Sequence, residues 1–273
     1  MGFSLSFFIV WESDVIRRPL SRQSPIISVR QFSAGYDGRL LLHDLSFDVF
    51  AGEVFVILGG SGSGKSTLLK HMIGLYRPVA GSILIEDKDI VTAEGQQRLA
   101  ILVRIGVMYQ GGALFGSMTL LENVRLPLEE YTDLPDDAMD RIALMKLQLV
   151  GLGTAAHKLP DEISGGMKKR AAIARAMALD PPILFLDEPS AGLDPITSAE
   201  LDQLIITLAR HLKITFVVVT HELPSIETIA DRVIMLDKRT QGIIAEGRPQ
   251  ELRDHSENAW VRQFFNRQVE ATG

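Results

Sequence analysis

Residues 54–72, VFVILGGSGSGKSTLLKHM, restrict the possible folds of this chain more than any other stretch. A short β-rich apolar run ends in glycines, and the residues after it have helical spacing at Leu68, Met72 and Leu75. The expected unit is therefore strand, loop, helix. Gly59, Gly64, Lys65 and Ser66 satisfy the pattern G-x-x-x-x-G-K-[ST] in the context it needs, after a strand and at the start of a helix. Small residues allow backbone N–H groups to close on a polyphosphate, and the helix N-terminus adds a favourable dipole. Lys65 is expected to reach the β and γ phosphates, and the Ser66 hydroxyl to ligate Mg²⁺.

Further strands are expected in IISVRQFSAGY from Ile26, GSILIED, RIGVMY, PILFLDE, TFVVVTH and DRVIMLD. Several are continuous apolar runs, as expected where both faces of a sheet are covered, so the sheet should be mixed or parallel at its centre. Between Gly111 and Asp180 helix signals replace strand signals. Pro135, Asp136 and Asp137 make a first turn, Ile142, Met145 and Leu149 share a face, and Gly151 is a stop. This segment reads as a helical insertion in an α/β fold. The stretch AWVRQFF predicts a short helix with a frayed end after it.

A Mg²⁺ site also needs a carboxylate at the end of a neighbouring strand, and ILFLDE supplies Asp187. Glu188, beside it, is placed to orient and polarise a water for attack on a γ-phosphate. A second glycine pair lies in ISGGMKKR, with Ser164, Gly165 and Gly166 at the N-terminus of a helix whose face carries Ile173, Ala174 and Met177. Locally it fits either a capping turn without a ligand or a second anion site. One nucleotide has no obvious need of two helix N-termini, which points to a nucleotide bound elsewhere.

Together these residues resemble the nucleotide-binding subunit of an ATP-binding-cassette (ABC) transporter, from about Ile26 to the last helix. The resemblance implies a RecA-like core with an antiparallel β subdomain and an inserted helical subdomain at about 111–180, within an ATPase domain at 26–251. Residues 1–25 would be a disordered N-terminal extension and 252–273 a C-terminal helix and tail. It implies that Gly59, Gly60, Ser61, Gly62, Ser63, Gly64, Lys65, Ser66 and Thr67 form the Walker A loop and that Tyr36 stacks on adenine. Gln110 would sense Mg²⁺ and the attacking water, Asp187 and Glu188 form the Walker B pair, Asp194 lies in the D-loop, and His221 is the switch histidine. Ser164 to Gly166 would be the signature, which in this family caps the ATP of a second copy.

Met167 stands where the common signature LSGGQ has glutamine. SGGMKKR, YQGGALFGSMTLLENV and WVRQFF resemble one branch, the ATPases of MCE-type phospholipid transport systems. That branch implies two membrane permease subunits, a periplasmic MCE lipid-binding protein, a small cytoplasmic accessory protein, and residence on the cytoplasmic face of the inner membrane.

Composition narrows the classes. No apolar run approaches the roughly 20 residues of a membrane-spanning helix, so the chain is not expected to be a channel. The formal net charge of −6 argues against a broad nucleic-acid surface, and MKKR reads as a solvated face. The absence of cysteine removes disulfides and thiolate metal sites. MGFSLSFFIVW lacks the basic n-region of a signal peptide. His43, His71, His157, His211 and His255 lack the i, i+4 spacing of a helical zinc site. Phe264 and Phe265 fit either packing within the chain or docking on a neighbouring subunit. Rival assignments are the ATPase of a small-solute importer, which shares these catalytic residues, and a soluble ATPase acting on DNA or ribosomes, which would need a long coiled coil or a second cassette.

Overall fold

The computed structural model describes residues 24–36 and 38–267. The expected extension at 1–25 and the frayed end therefore fall almost wholly outside the described residues.

The first half of the chain contains β1 (Pro25–Tyr36), β2 (Arg39–Phe50), β3 (Val54–Gly59), α1 (Lys65–Met72), β4 (Ala80–Ile85), β5 (Lys88–Asp89), α2 (Gly95–Leu102) and β6 (Ile105–Met108). The helical stretch α3 (Leu120–Tyr131), α4 (Asp136–Leu149) and α5 (Gly165–Ala176) follows. The chain then returns to β7 (Ile183–Asp187), α6 (Pro195–Leu212), β8 (Thr215–Val219), α7 (Leu223–Ile229), β9 (Arg232–Asp237), β10 (Gly242–Gly247), α8 (Pro249–His255) and α9 (Ala259–Asn266).

The strands form two sheets, an antiparallel one in the order β2-β1-β4-β5 and a second in the order β10-β9-β3-β8-β7-β6. In the second sheet β9, β3, β8, β7 and β6 run parallel, and β10 closes one edge antiparallel. Every residue of β3, β7 and β8 is buried, which is why their sequences read as unbroken apolar runs. β3 feeds both layers by the two-residue alternation of a strand. Val54, Val56 and Leu58 pack under the helices. Phe55 and Ile57 pack with Leu68, Leu69 and Met72 of α1 and with the antiparallel sheet, where Phe47 and Phe55 stack 5.6 Å apart. The helix that follows the glycine loop is thus wedged between two sheets.

Two expected faces differ. α1 ends at Met72, so Leu75 lies beyond it and is 54% exposed. On α4 the buried positions are Met139, Ala143, Lys146 and Leu147, while Met145 and Leu149 face outward. The inward stripe runs at i, i+4, i+8 from Met139 against α3 and α5. Lys146 is admitted to it by an ion pair with Asp180.

Candidate active site

The glycine loop is shaped by close approach of backbone. Gly59 has φ +152°, and a Cβ there would lie 2.4 Å from the Leu236 carbonyl oxygen and 2.6 Å from Ser63 Oγ. Gly64 has φ +97°, and its Cβ would meet Leu42 at 2.7 Å. Neither position has room for a side chain. Lys65 Nζ donates to the carbonyl oxygens of Gly59 at 2.9 Å and Gly60 at 3.1 Å. Burial pulls its pKa down while the carboxylates of Glu188 and Asp187 pull it back up. The ammonium thus faces an acidic wall on one side and the loop on the other. Ser63 is buried, and its hydroxyl has no hydrogen-bond partner among the described residues.

Asp187 ends β7, and the Ser66 hydroxyl donates to its Oδ1 at 3.5 Å. Burial raises the Asp187 pKa, and the neighbouring Glu188 charge raises it further. Glu188 follows at φ +48°, an unfavourable conformation for a residue with a side chain, held by its N–H donating to the Val219 carbonyl at 2.8 Å. That turn aims its carboxylate back across the sheet end. Oε1 lies 2.8 Å from His221 Nδ1, and Oε2 is buried without a partner. One oxygen is pinned by the imidazole and the other is left to accept from a small molecule in the site. Ser190 Oγ is buried without a partner in the same way.

A hydroxyl beside a carboxylate is a donor set suited to Mg²⁺, which prefers one or two protein oxygens and leaves its other positions to water and phosphate. Ser66 and Asp187 fit that requirement, and the orphaned buried oxygens of Ser63 and Glu188 show that the cleft is built for polar contents.

The second glycine pair lies elsewhere. Ser164 caps α5, its Oγ accepting from Met167 N–H at 3.3 Å. Gly165 and Gly166 form the first turn, and a Cβ on Gly166 would collide with Thr197 Cγ2 at 2.4 Å. The Met167 side chain turns onto the helical core instead of standing free. Asp194 caps α6: Oδ1 accepts from Ile196 and Thr197 N–H at 3.1 Å each, and Oδ2 from the Thr197 hydroxyl at 2.6 Å. That hydroxyl contact is the main reason its pKa is lowered. α5 packs on α3, α4, α6 and β6, whereas α1 packs on β3, β7 and β8. The two glycine-bearing helix N-termini thus stand among different neighbours.

Gln110 lies just past β6 and is exposed, with its carbonyl accepting from Lys169. The same lysine donates to the Glu188 carbonyl at 3.3 Å. Lys169 belongs to the MKKR run expected to be solvated, yet it is only 8% exposed. Sequence reading missed it, although Gly166, Lys169, Ile173 and Met177 share one helical stripe. Tyr36 ends β1, and its side chain falls outside the described residues.

A parallel-centred α/β sheet with a glycine loop at the end of β3, acids at the end of β7 two strands along and a separate glycine pair defines a P-loop nucleotide-binding cassette. The chain belongs to the ABC transporter family, whose model matches residues 42–191, as an ATP-binding and ATP-hydrolysing component. It is 43% identical over 240 residues to the probable ribonucleotide transport ATP-binding protein mkl of Mycobacterium leprae, covering 88% of this chain and 68% of that protein. The mkl relative of Mycobacterium bovis is covered to 66% of its length. Haemophilus influenzae MlaF, an intermembrane phospholipid transport system ATP-binding protein, is 38% identical over 88% of this chain and 90% of its own. Among solved structures, a dimeric post-hydrolysis state of the ATP-binding cassette MJ0796 bound to ADP and Pi superposes with a TM-score of 0.74 at 30% identity, over 81% of this chain and 98% of that one.

Proposed function

We propose that this chain is the ATPase of a phospholipid transport system, acting as a homodimer on the cytoplasmic face of the inner membrane. It drives two permease subunits and works with a periplasmic MCE lipid-binding protein, with a small accessory protein as a further partner. The observation that carries the cargo is the likeness to MlaF, which extends over 90% of that protein's length. The higher identity to mkl supports a second cargo, ribonucleotides. The cassette is assigned to 26–251 with its helical part at 111–180, and a C-terminal unit to 252–273; because α8 spans Pro249–His255, the break after β10 is the better boundary.

The residues divide the work as follows. Backbone N–H groups of Gly59 to Thr67 and the Lys65 ammonium hold the β and γ phosphates, Lys65 exchanging its carbonyl partners for phosphate oxygens. Tyr36 stacks on adenine. Ser66, Asp187 and Gln110 hold Mg²⁺, which neutralises phosphate charge when bound. Glu188 accepts the proton of the attacking water through its unpartnered Oε2, and His221 fixes the rotamer through Oε1. Ser164, Gly165 and Gly166, with Asp194 beside them, close over the ATP of the second copy. The MJ0796 cassette, dimeric with ADP and Pi, supports this arrangement.

The test is to tag the chain, extract it gently from native membranes, and identify co-purifying proteins and lipids by mass spectrometry. A multi-span permease, an MCE protein and phospholipid are expected. A solute permease with a binding protein would overturn the cargo, and ribosomes or DNA alone would overturn the transport assignment.

A further inference from the structure

The two lysines after the second glycine pair part company in the fold. Lys168 is partly exposed near Asp161, at 3.5 Å, whereas Lys169 points inward. An ammonium is expensive to bury unless its donors are met, and two of its three donors go to the carbonyls of Gln110 and Glu188. The surrounding charge is of the right sign: burial lowers the Lys169 pKa, and Glu188, Asp187 and Glu222 oppose that shift. A second cation of α5 holds the same loop further on, Arg175 donating to the carbonyls of Gly112 at 2.8 Å and Ala113 at 2.7 Å. The loop after β6, the end of β7 and α5 are thus joined by charge-assisted bonds to backbone, which side-chain variation at Gln110 or Glu188 would leave in place.

Lys169 stands five positions past Ser164, about 7.5 Å along the helix axis at 1.5 Å per residue. The helix that presents the glycine pair outward is therefore anchored, a turn and a half later, to the backbone of the candidate base.

We propose that Lys169 is a positioning residue for ATP hydrolysis: it locks the Gln110 loop and the strained Glu188 backbone to the signature helix, so that each subunit's base and the glycine pair it lends to its partner keep one fixed relation. The proposal rests on the assignment of Glu188 as base and of the glycine pair to a second copy. Without the ammonium, Glu188 and the Gln110 loop lose a shared anchor and the reacting geometry loosens. The phosphate loop keeps its own contacts, so nucleotide binding persists.

The experiment uses the full-length chain with Mg²⁺ and ATP, and compares Lys169→Met, Lys169→Arg and Glu188→Gln. Lys169→Met is expected to bind a fluorescent ATP analogue within about twofold of the parent while kcat falls about 10- to 100-fold at unchanged KM, the size of effect that a small misplacement produces. Lys169→Arg, which keeps charge and donors, is expected to restore most of kcat. A damaged fold would shift KM and melting temperature together and would not be mended by charge. Parental kcat in Lys169→Met, or equal losses in Met and Arg, would overturn the proposal. If Lys169→Met does not fold, Lys169→Gln replaces it, with kcat expected below that of Arg; parental turnover there counts equally against the proposal. Glu188→Gln separates the two levels. Parental turnover in that variant refutes the base assignment, whereas a stalled Glu188→Gln beside a normal Lys169→Met refutes only the role of Lys169.

Discussion

Replacing Asp202 by Asn should make the protein more stable at neutral pH and no more stable in acid. Asp202 lies on the inner face of α6 and is 4% exposed. Burial raises its pKa from 3.8 to about 6, with the Ser225 hydroxyl opposing the rise and the Glu222 charge adding to it. The folded state therefore holds a proton that the unfolded chain has released between about pH 4 and pH 6, and stability falls as pH rises through that window. Above pH 6 the whole penalty is present. At 1.36 kcal/mol per pH unit, a difference of roughly two units corresponds to about 3 kcal/mol. Relaxation of the structure around the buried charge and the less favourable contacts of an amide reduce the expected gain of Asp202→Asn to about 1–2 kcal/mol. For a domain of this size that is a rise in Tm of about 2–6 °C. Thermal unfolding of both proteins, followed by circular dichroism from pH 4 to pH 8, measures it directly. A Tm difference that is flat across that range, or largest at pH 4, would refute the reasoning.

Two further outcomes concern the site. His221→Ala should leave ATP affinity unchanged and lower kcat about 100-fold, because Glu188 Oε1 loses the partner 2.8 Å away that fixes its rotamer; steady-state hydrolysis beside equilibrium nucleotide titration checks this, and parental kcat would contradict it. Gly166→Ala places a methyl 2.4 Å from Thr197 Cγ2 and should destabilise the protein by about 1–3 kcal/mol. Adding Thr197→Ser, which removes that methyl and keeps the hydroxyl that serves Asp194, should recover much of the loss in denaturant titrations. Additive losses would show that the contact is not the cause.

The glycine loop and the central strands are legible in sequence because each is a local pattern: β3, β7 and β8 are buried on both faces and read as near-continuous apolar runs, β3 ending in glycine and β7 in an acid. Helix faces are less legible. On α4 an apolar stripe through Met145 was as good a reading as the observed one through Met139, Ala143 and Leu147, and only the packing of α3 and α5 chooses between them. Lys169 was hidden by its type, since charge within a basic run usually means solvent; its place on the Gly166, Ile173, Met177 stripe was the available signal. The pairing of Glu188 with His221 joins residues 33 apart and depends on the neighbouring ends of β7 and β8, a register that the sequence does not print.

If the glycine pair of one copy closes over ATP held by another, dimerisation must depend on both the nucleotide and that pair. Light scattering of Glu188→Gln, with and without ATP, tests it most directly when repeated with Ser164→Arg added. An ATP-dependent shift from monomer to dimer is expected in the first protein, and its loss in the second with ATP still bound. An ATP-loaded monomer in the first, or an equal shift in both, would contradict it.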